Sequence, residues 1–413
     1  MSTTIFRKTF SSAILLGALL ALLPAAYAQI DQRRLDAITA DLQSRIDAGR
    51  LSGVVAMIAK DGEIVLHTAL GYQNIEDQVP MNRDTIFRIF SMTKPIAGTA
   101  LMMLFDEGRF QLDDPVEQYL PELAGLQVFV SRNPDGSFVT EPAAHPMTIR
   151  ELMSHTGGLV YIPPLSRGPV PDAYVEAGIL NRDTPLAAMT AALGKLPLNH
   201  QPGSQWVYSV SVDVQGYLVE VLSGQSFDVF LQERLFAPLG MKDTAFYVDA
   251  QKAERLARQY APLPTGGLQR TDNGDFLHKP AFFSGGGGLT STAADYMKFA
   301  QMHLNKGELD GVRILSENAV NIMRSNQLPD HIDAISPLYP GNVFGVDFAI
   351  VDDPAVFNGA PKGTHWWWGI AGSWFWIDPV ENIVFVGMIQ NDDILYSLQV
   401  HSAMRTLLYQ PLP

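Results

Sequence analysis

Apolar runs that suit buried β-strands lie near the two ends of the chain. Residues 54–59 and 64–70 form two such runs, joined by a short turn that contains Gly62. Near the other end, residues 374–377 and 383–389 flank a second short turn. The pattern therefore predicts one hairpin near each end of the chain.

Helical periodicity frames these hairpins and fills the middle of the chain. Apolar residues at three-to-four spacing predict an opening helix over 32–48 and a closing helix over 393–408. The same spacing recurs between loops rich in Pro and Gly, over 96–105, 149–153, 186–193, 212–222 and 227–235. Sheet-forming ends around a helical middle predict an α+β protein whose two lobes share one cleft. We expect a sheet lobe of residues 29–90 and 285–413 and a helical lobe of residues 91–284.

The first 28 residues follow the plan of a secretory signal peptide. Arg7 and Lys8 supply a positive start, residues 13–23 an apolar stretch, and Ala26-Tyr27-Ala28 a small-residue cleavage site. An uncleaved membrane anchor is the alternative reading, but the apolar run is short for a span. We therefore expect a mature chain of residues 29–413 that is periplasmic or secreted and has no stable membrane anchor.

Composition narrows the function classes further. The chain has 43 acidic against 29 basic side chains and a net charge of −14, which makes nucleic acid an unsuitable partner. It has no cysteine, so its stability must come from a packed core rather than from disulfides. No His-Glu-x-x-His, Gly-x-Ser-x-Gly or Walker-type sequence occurs, so we expect no metal and no cofactor. The oligomeric state is left open.

Ser91-Met92-Thr93-Lys94 is the only Ser-x-x-Lys in the chain. It follows a strand-like run over 85–90 and opens a helix-like one, so the Lys94 amine would share a helix face with the Ser91 hydroxyl. A serine becomes a good nucleophile only when a neighbour takes its proton. The motif alone also suits a surface serine beside an exposed lysine, so it needs support from elsewhere in the chain.

Tyr208, in the sequence Tyr208-Ser209-Val210, offers such support. From a loop of the helical lobe its phenol could face Ser91 across the cleft. A nearby Lys94 would favour the phenolate, making Tyr208 a general base and later the acid that protonates the leaving group. The alternative is an aromatic side chain that anchors a loop on the core.

Two glycine-containing segments could border the same cleft. Trp366-Trp367-Trp368-Gly369-Ile370 precedes the last hairpin, and its small residues would let a strand approach a ligand and donate an N–H to an oxyanion. Ordinary core packing is the alternative for this segment. The Gly285–Gly288 run is either a flexible border of the cleft or a hinge between the lobes.

The order of these features resembles the serine β-lactamase and penicillin-binding protein superfamily over nearly all of the mature chain. The resemblance is carried by the residues 87–95, 148–159, 238–241, 288–296 and 374–379. Within it the chain looks closest to class C β-lactamases and to the family VIII carboxylesterases that share their fold. The resemblance implies a β-lactamase/transpeptidase-like fold, with an antiparallel sheet flanked by helices, a helical lobe, and the active site between them.

The resemblance also implies roles for individual residues. Ser91 would be the nucleophile, and Lys94 and Tyr208 its activating partners. The N–H of Ser91 and a last-strand N–H near Gly369 or Ile370 would form the oxyanion hole. Trp367 and Trp368 would line the substrate pocket. The loop that holds His155 is typically structural in this superfamily, so His155 is interpreted as structural.

Two departures favour an esterase over a β-lactamase. Val210 stands where class C β-lactamases have an asparagine, and it offers no amide to a polar substrate. Trp367-Trp368-Gly369 stands where those enzymes have Lys-Thr-Gly, so the cationic clamp for a substrate carboxylate is missing. We therefore expect hydrolysis of a small-molecule ester with a short to medium apolar acyl chain. Weak β-lactamase or D-amino-acid peptidase activity is the alternative, and a non-catalytic scaffold or ligand-binding protein is the alternative of another class.

Overall fold

The two predicted hairpins join in one antiparallel sheet of eight strands. The computed structural model describes residues 30–412, so the predicted signal peptide lies outside the described residues. Gly53–Lys60 pairs with Ile383–Met388, which brings the two ends of the chain together. Across the sheet the strands are Asn342–Phe344, Ala349–Val351, His365–Trp368, Trp374–Asp378, Ile383–Met388, Gly53–Lys60, Glu63–Asn74 and Val79–Pro80.

Helices cover both faces of this sheet. The α-helices are α1 (Gln32–Asp47), α2 (Thr93–Asp106), α3 (Ile149–Met153), α4 (Pro169–Glu176), α5 (Leu186–Leu193), α6 (Ser211–Ser223), α7 (Phe227–Leu231), α8 (Ala237–Leu239), α9 (Ala293–Leu304), α10 (Glu317–Met323) and α11 (Ile394–Tyr409). Side chains alternate along a strand. Trp374 accordingly packs against His401 of α11, whereas the next residue, Phe375, packs against Tyr296 of α9. The predicted antiparallel sheet flanked by helices is confirmed.

The predicted helices agree with the observed ones to within a few residues, with two informative differences. Helix α2 begins at Thr93 rather than at residue 96, so Lys94 lies in its first turn. The predicted helix over 227–235 is α-helical only to Leu231 and continues as a π-helical turn over Gln232–Phe236.

The strand-like run over 85–90 was a wrong interpretation. Only Phe87–Arg88 forms a strand, a two-residue one that pairs with Thr290–Ser291. The run is apolar because its side chains are buried: Ile86, Phe87 and Ile89 are each at most 1% exposed. Burial alone does not distinguish a strand from an irregular segment in the core.

The middle of the chain also contains strands that the periodicity did not predict. Gln127–Arg132 pairs with Phe138–Pro142, and Tyr260–Pro262 pairs with Leu268–Arg270. The first of these hairpins is mostly exposed, so it has no buried face to produce an apolar pattern. The division into lobes at residues 90 and 284 stays a prediction. Within residues 30–412, no helix is both long and apolar enough to cross a membrane.

Candidate active site

Ser91 lies in a tight turn that leads directly into helix α2. The turn is a 3-10 helix over Phe90–Met92, and Ser91 is half-buried at its centre. Phe90 has φ +43°, a left-handed backbone conformation that is strained for an aromatic residue. Such strain persists where the surrounding structure imposes it, and it concentrates at functional sites. Here the strained residue directly precedes Ser91.

Lys94 is completely buried and faces Ser91 from the first turn of α2. Its Nζ donates to the backbone carbonyl of Gly286 at 2.6 Å and to the Tyr161 hydroxyl at 3.0 Å. Nζ lies 3.4 Å from Ser91 Oγ. A buried amine group needs such polar partners, because burial removes its contacts with water. The Gly286 carbonyl and the Tyr161 hydroxyl therefore hold the amine of Lys94 within reach of the serine hydroxyl.

Tyr208 lies on the other side of the same lysine. Nζ of Lys94 is 4.5 Å from the centre of the Tyr208 ring, and the Trp367 indole N–H donates to the Tyr208 hydroxyl at 3.2 Å. Burial raises the pKa of Tyr208, while the contacts with Ser91 and Trp367 act in the opposite direction without offsetting it. Desolvation therefore favours the neutral phenol, and the role of Tyr208 as a general base stays a prediction.

Tyr161 is the residue that sequence reasoning missed. It lies 67 positions after Lys94, yet its hydroxyl accepts a hydrogen bond from Nζ and its ring packs 5.2 Å from that of Tyr208. Its only sequence signal is its position directly after Leu159 and Val160, at the end of the 148–159 segment. Burial raises the pKa of Tyr161 as well, so both phenols around Lys94 are neutral.

The Gly285–Gly288 run borders the site and is tightly packed rather than flexible. A Cβ on Gly285 would lie 2.2 Å from the Val212 carbonyl oxygen. A Cβ on Gly286 would lie 2.6 Å from Asp213 Oδ2 and 2.8 Å from the Tyr161 hydroxyl. Glycine is needed here so that the backbone carbonyl of Gly286 can approach Lys94. Of the two predicted roles, the structure shows the border of the cleft.

Two buried carboxyl groups lie near the lysine. Asp213, in the first turn of α6, accepts hydrogen bonds from the Ser284 hydroxyl at 2.5 Å and the Gly286 N–H at 3.0 Å. Asp347 is also fully buried, and its Oδ1 accepts from the Gln215 side chain at 3.3 Å. Burial raises the pKa of both carboxyl groups, and the charge of Lys94 lowers it by less. Asp213 thus holds the glycine segment that in turn holds Lys94.

The structure distinguishes the two candidate oxyanion donors on the last strands. The Gly369 N–H donates to the Ser373 carbonyl at 2.7 Å and closes the turn between His365–Trp368 and Trp374–Asp378. Neither the Ile370 N–H nor the Ser91 N–H has an acceptor among the described residues. Ser91 and Ile370 also line the same cavity. The donor pair that remains is therefore Ser91 and Ile370, and Gly369 is not available.

An apolar cavity of about 450 Å³ opens onto Ser91. Trp367 and Trp368 form one wall, and Trp368 is fixed by donating its indole N–H to the Tyr339 hydroxyl at 3.0 Å. No Lys, Arg, Asp or Glu lies among its lining residues, which are Ser91, Leu165, Ser166, Trp206, Val207, Tyr208, Ile335, Ser336, Pro337, Leu338, Tyr339, Trp367, Trp368, Ile370, Ile394, Leu395 and Leu398. The cavity suits an uncharged, largely apolar ligand.

Two further residues from the sequence analysis lie beside the site without lining this cavity. Val210 is fully buried immediately before α6, and it presents no polar group. The His155 ring packs 5.0 Å from the Tyr208 ring, and its Nδ1 lies 3.0 Å from the Ser209 hydroxyl. Burial, followed by the charge of Lys94, lowers the pKa of His155 well below its usual value. A neutral His155 therefore supports the loop that carries Tyr208.

Within residues 30–412, no three His, Cys, Asp or Glu side chains come together in a way that would hold a metal ion. The acidic residues closest to Lys94 are instead engaged with the glycine segment and with Gln215.

The family model described as Beta-lactamase matches residues 36–394. The chain belongs to this family. It is a serine hydrolase with the β-lactamase/transpeptidase-like fold, as the sequence analysis predicted.

Several proteins similar to this chain are described as esterases or acyltransferases. Esterase EstB of Burkholderia gladioli is 33% identical over 378 residues, which cover 84% of this chain and 90% of EstB. Lovastatin esterase of Penicillium rubens is 27% identical over 381 residues, covering 84% and 91% of the two chains. The solved structure of EstCE1, described as a hydrolase with promiscuous acyltransferase activity, is 26% identical with a TM-score of 0.77, covering 92% of this chain and 98% of EstCE1. These similarities support a serine ester hydrolase or acyltransferase.

Proposed function

We propose that this protein is an exported esterase that cleaves neutral carboxylic esters through an acyl-enzyme on Ser91. The observation that carries the proposal is the buried Lys94 amine, 3.4 Å from Ser91 Oγ, beside an apolar cavity whose lining has no charged side chain. A neutral ester fits such a cavity better than a β-lactam carboxylate, which would lose its hydration without gaining a cation.

The chemistry follows from the positions of these groups. Ser91 Oγ attacks the ester carbonyl carbon, and its proton passes to the Lys94–Tyr208 pair. The pair can accept this proton only when Lys94 is a neutral amine, which keeps its two N–H bonds to Gly286 and Tyr161 and turns its lone pair to Ser91. The N–H groups of Ser91 and Ile370 bind the oxygen that becomes negatively charged. The pair then gives its proton to the departing alcohol. Water then attacks the carbonyl carbon of the acyl-enzyme and gives its proton to the same pair. Ser91 takes the proton back as the carboxylic acid leaves. Because the two side chains interact closely, the proton is assigned to the pair rather than to either one.

Covalent labelling tests the nucleophile directly. A fluorophosphonate probe should add its mass once to the wild-type protein and not at all to Ser91→Ala, as measured by intact-protein mass spectrometry. Peptide mapping should place the label on Ser91. A folded wild-type protein that the probe never labels at Ser91 would favour the non-catalytic alternative.

Acyl transfer to an alcohol is a second candidate. The apolar lining that excludes charged groups also favours an alcohol over water as the group that receives the acyl chain. EstCE1 combines both activities according to its description. Adding 1-butanol to a reaction with p-nitrophenyl butyrate would distinguish the two: acyl transfer yields butyl butyrate, and hydrolysis alone yields only butyric acid.

Export is proposed from the sequence pattern of residues 1–28. The positive start, apolar stretch and Ala-Tyr-Ala site together support cleavage after Ala28. Expression in a bacterial host with an intact export pathway should give a periplasmic or secreted protein. Its measured mass should match a chain that begins at Gln29. A full-length protein found in the membrane fraction would favour the uncleaved anchor.

A further inference from the structure

Exposed leucines are concentrated around the mouth of the Ser91 cavity. Among the described residues, four leucines are exposed, and three of them, Leu165, Leu338 and Leu395, line this one cavity. Their exposed fractions are 47%, 69% and 70%, whereas the fourth, Leu263, is 38% exposed and lies elsewhere. Single exposed apolar residues need no explanation, but a cluster at the entrance to a site does.

The three leucines come from segments that are far apart in the chain. Leu165 precedes α4, Leu338 lies in the loop before the strand Asn342–Phe344, and Leu395 lies in the first turn of α11. Convergence of three separate segments on one cavity is not a consequence of local sequence. We name this set of three side chains the leucine rim.

Each rim leucine is next to a residue that is anchored in the site. Leu338 precedes Tyr339, whose hydroxyl accepts the hydrogen bond from Trp368. Leu165 precedes Ser166, whose hydroxyl accepts from the backbone N–H of Tyr161, a partner of Lys94. Because these anchors fix the backbone, the rim is largely arranged before a ligand arrives, which reduces the entropy lost on binding.

The helix that carries Leu395 is fixed in the same way. Asp393 caps the start of α11, where its Oδ1 accepts from the Tyr396 N–H at 2.9 Å. Ile394 and Leu398 of the same helix line the cavity, so Leu395 extends an apolar wall that begins inside it. Ile370, whose N–H has no acceptor within residues 30–412 and is the candidate oxyanion donor, lies on the same cavity surface.

We propose that the leucine rim binds the far end of an uncharged apolar chain of the ester, one that is too long for the cavity alone. The inference rests on the proposed esterase function, because the occupant is defined by its continuity with Ser91. An apolar chain that leaves the cavity meets leucine rather than water. The absence of charged lining residues makes an acidic or cationic extension unsuitable. The preferred substrates are thus medium- to long-chain esters in monomeric form.

Two ester series would show which side of the ester carries the chain. For the acyl side, kcat/KM is measured for p-nitrophenyl decanoate and p-nitrophenyl butyrate. For the alcohol side, it is measured by acid release from decyl butyrate and ethyl butyrate. These assays run below the concentration at which the substrates aggregate, and each long-chain assay is repeated above it for comparison. Burial of one methylene is worth roughly fourfold in an equilibrium constant, so the wild-type enzyme should prefer the long member of at least one series.

Leu338→Ser and Leu395→Ser test the rim, and Leu263→Ser is the matched control. Each rim variant should lower the long-to-short ratio of kcat/KM by about tenfold in one of the two series. The control should keep the wild-type ratio in both series. Exposed positions tolerate such changes, and the thermal unfolding midpoint of each variant checks that it is folded.

Several outcomes would overturn the proposal. One is that the long-to-short ratio of kcat/KM in the rim variants equals the wild-type ratio in both series. Another is that this ratio decreases in Leu263→Ser as much as in the rim variants. A dependence on the rim that appears only above the aggregation concentration would assign it to a lipid or micelle surface instead. Failure of the esterase assignment itself gives a different result, since no ester of either length would then be cleaved in a way that depends on Ser91.

Discussion

The indole N–H of Trp367 donates to the hydroxyl of Tyr208 at 3.2 Å. This hydrogen bond connects a strand of the large sheet, His365–Trp368, to the loop that precedes helix α6. It orients the Tyr208 phenol across Lys94. The two sides of the site are therefore linked through a group that we propose takes part in proton transfer.

Trp367→Phe should lower kcat for ester cleavage by about two- to tenfold with little change in KM, since one neutral hydrogen bond is lost and the aromatic wall is kept. Trp368→Phe is the matched control, because its indole donates to Tyr339 and not to Tyr208. Steady-state kinetics with p-nitrophenyl butyrate measures both variants. An equal decrease of kcat in the two would contradict the role given to the Trp367 bond.

Tyr208→Phe should lower kcat by roughly 10²- to 10⁴-fold, the range for loss of a general acid–base group. Tyr161→Phe removes only an acceptor of Lys94 and should cost less, about tenfold. Both rates are measured at saturating substrate on variants whose circular dichroism matches the wild type. If Tyr161→Phe proved the more damaging change, the proton-transfer role would belong to Tyr161.

Ser91, Lys94 and Tyr208 could be found from the sequence because each belongs to a short motif. Tyr161 and Asp213 could not, because they reach the lysine only through the folding of distant segments. The Gly285–Gly288 run was ambiguous for another reason. Glycine serves both flexibility and close approach, and only the neighbouring atoms distinguish the two.

Gly286→Ala should lower kcat/KM by roughly ten- to a hundredfold. The new methyl group would overlap Asp213 and Tyr161 and move the carbonyl that holds Lys94. Gly287→Ala is the matched control, since a Cβ there would lie no closer than 3.6 Å to its neighbours. Wild-type rates in Gly286→Ala would show that the carbonyl does not position the lysine.

Asp347→Asn should stabilise the protein more at pH 8 than at pH 4. Burial raises the pKa of the Asp347 carboxyl well above its ordinary value, so the folded state keeps a proton that the unfolded chain loses. The free energy of unfolding therefore decreases as the pH rises from the ordinary pKa of an aspartic acid toward the raised pKa of Asp347. The amide oxygen of the variant can still accept from Gln215, and the amide carries no charge. The decrease in stability that Asp347 causes at higher pH is therefore absent in the variant.

Thermal unfolding midpoints at the two pH values measure this difference. Asp310→Asn is the control for the backbone, because Asp310 is exposed and has φ +50°, close to the +56° of Asp347. A change in midpoint for Asp347→Asn that is the same at pH 4 and pH 8 would contradict the buried-carboxyl explanation.

The fold could be predicted further than the details of the site. The end hairpins followed from continuous apolar runs, because three of their four strands are buried on both faces. Most helices followed from apolar residues at three-to-four spacing. The strand predicted over residues 85–90 was wrong because this segment is largely buried but only Phe87–Arg88 forms a strand. The raised pKa of Tyr208 could not be predicted either, since desolvation depends on packing that the sequence does not display.

The central claim is that Ser91 cleaves neutral esters in preference to β-lactams. The most direct test compares the turnover of p-nitrophenyl butyrate and nitrocefin by the wild-type protein and by Ser91→Ala. We predict fast ester cleavage that Ser91→Ala abolishes, with little nitrocefin turnover. Nitrocefin turnover that matches or exceeds the ester rate, or ester cleavage that persists in Ser91→Ala, would contradict this account.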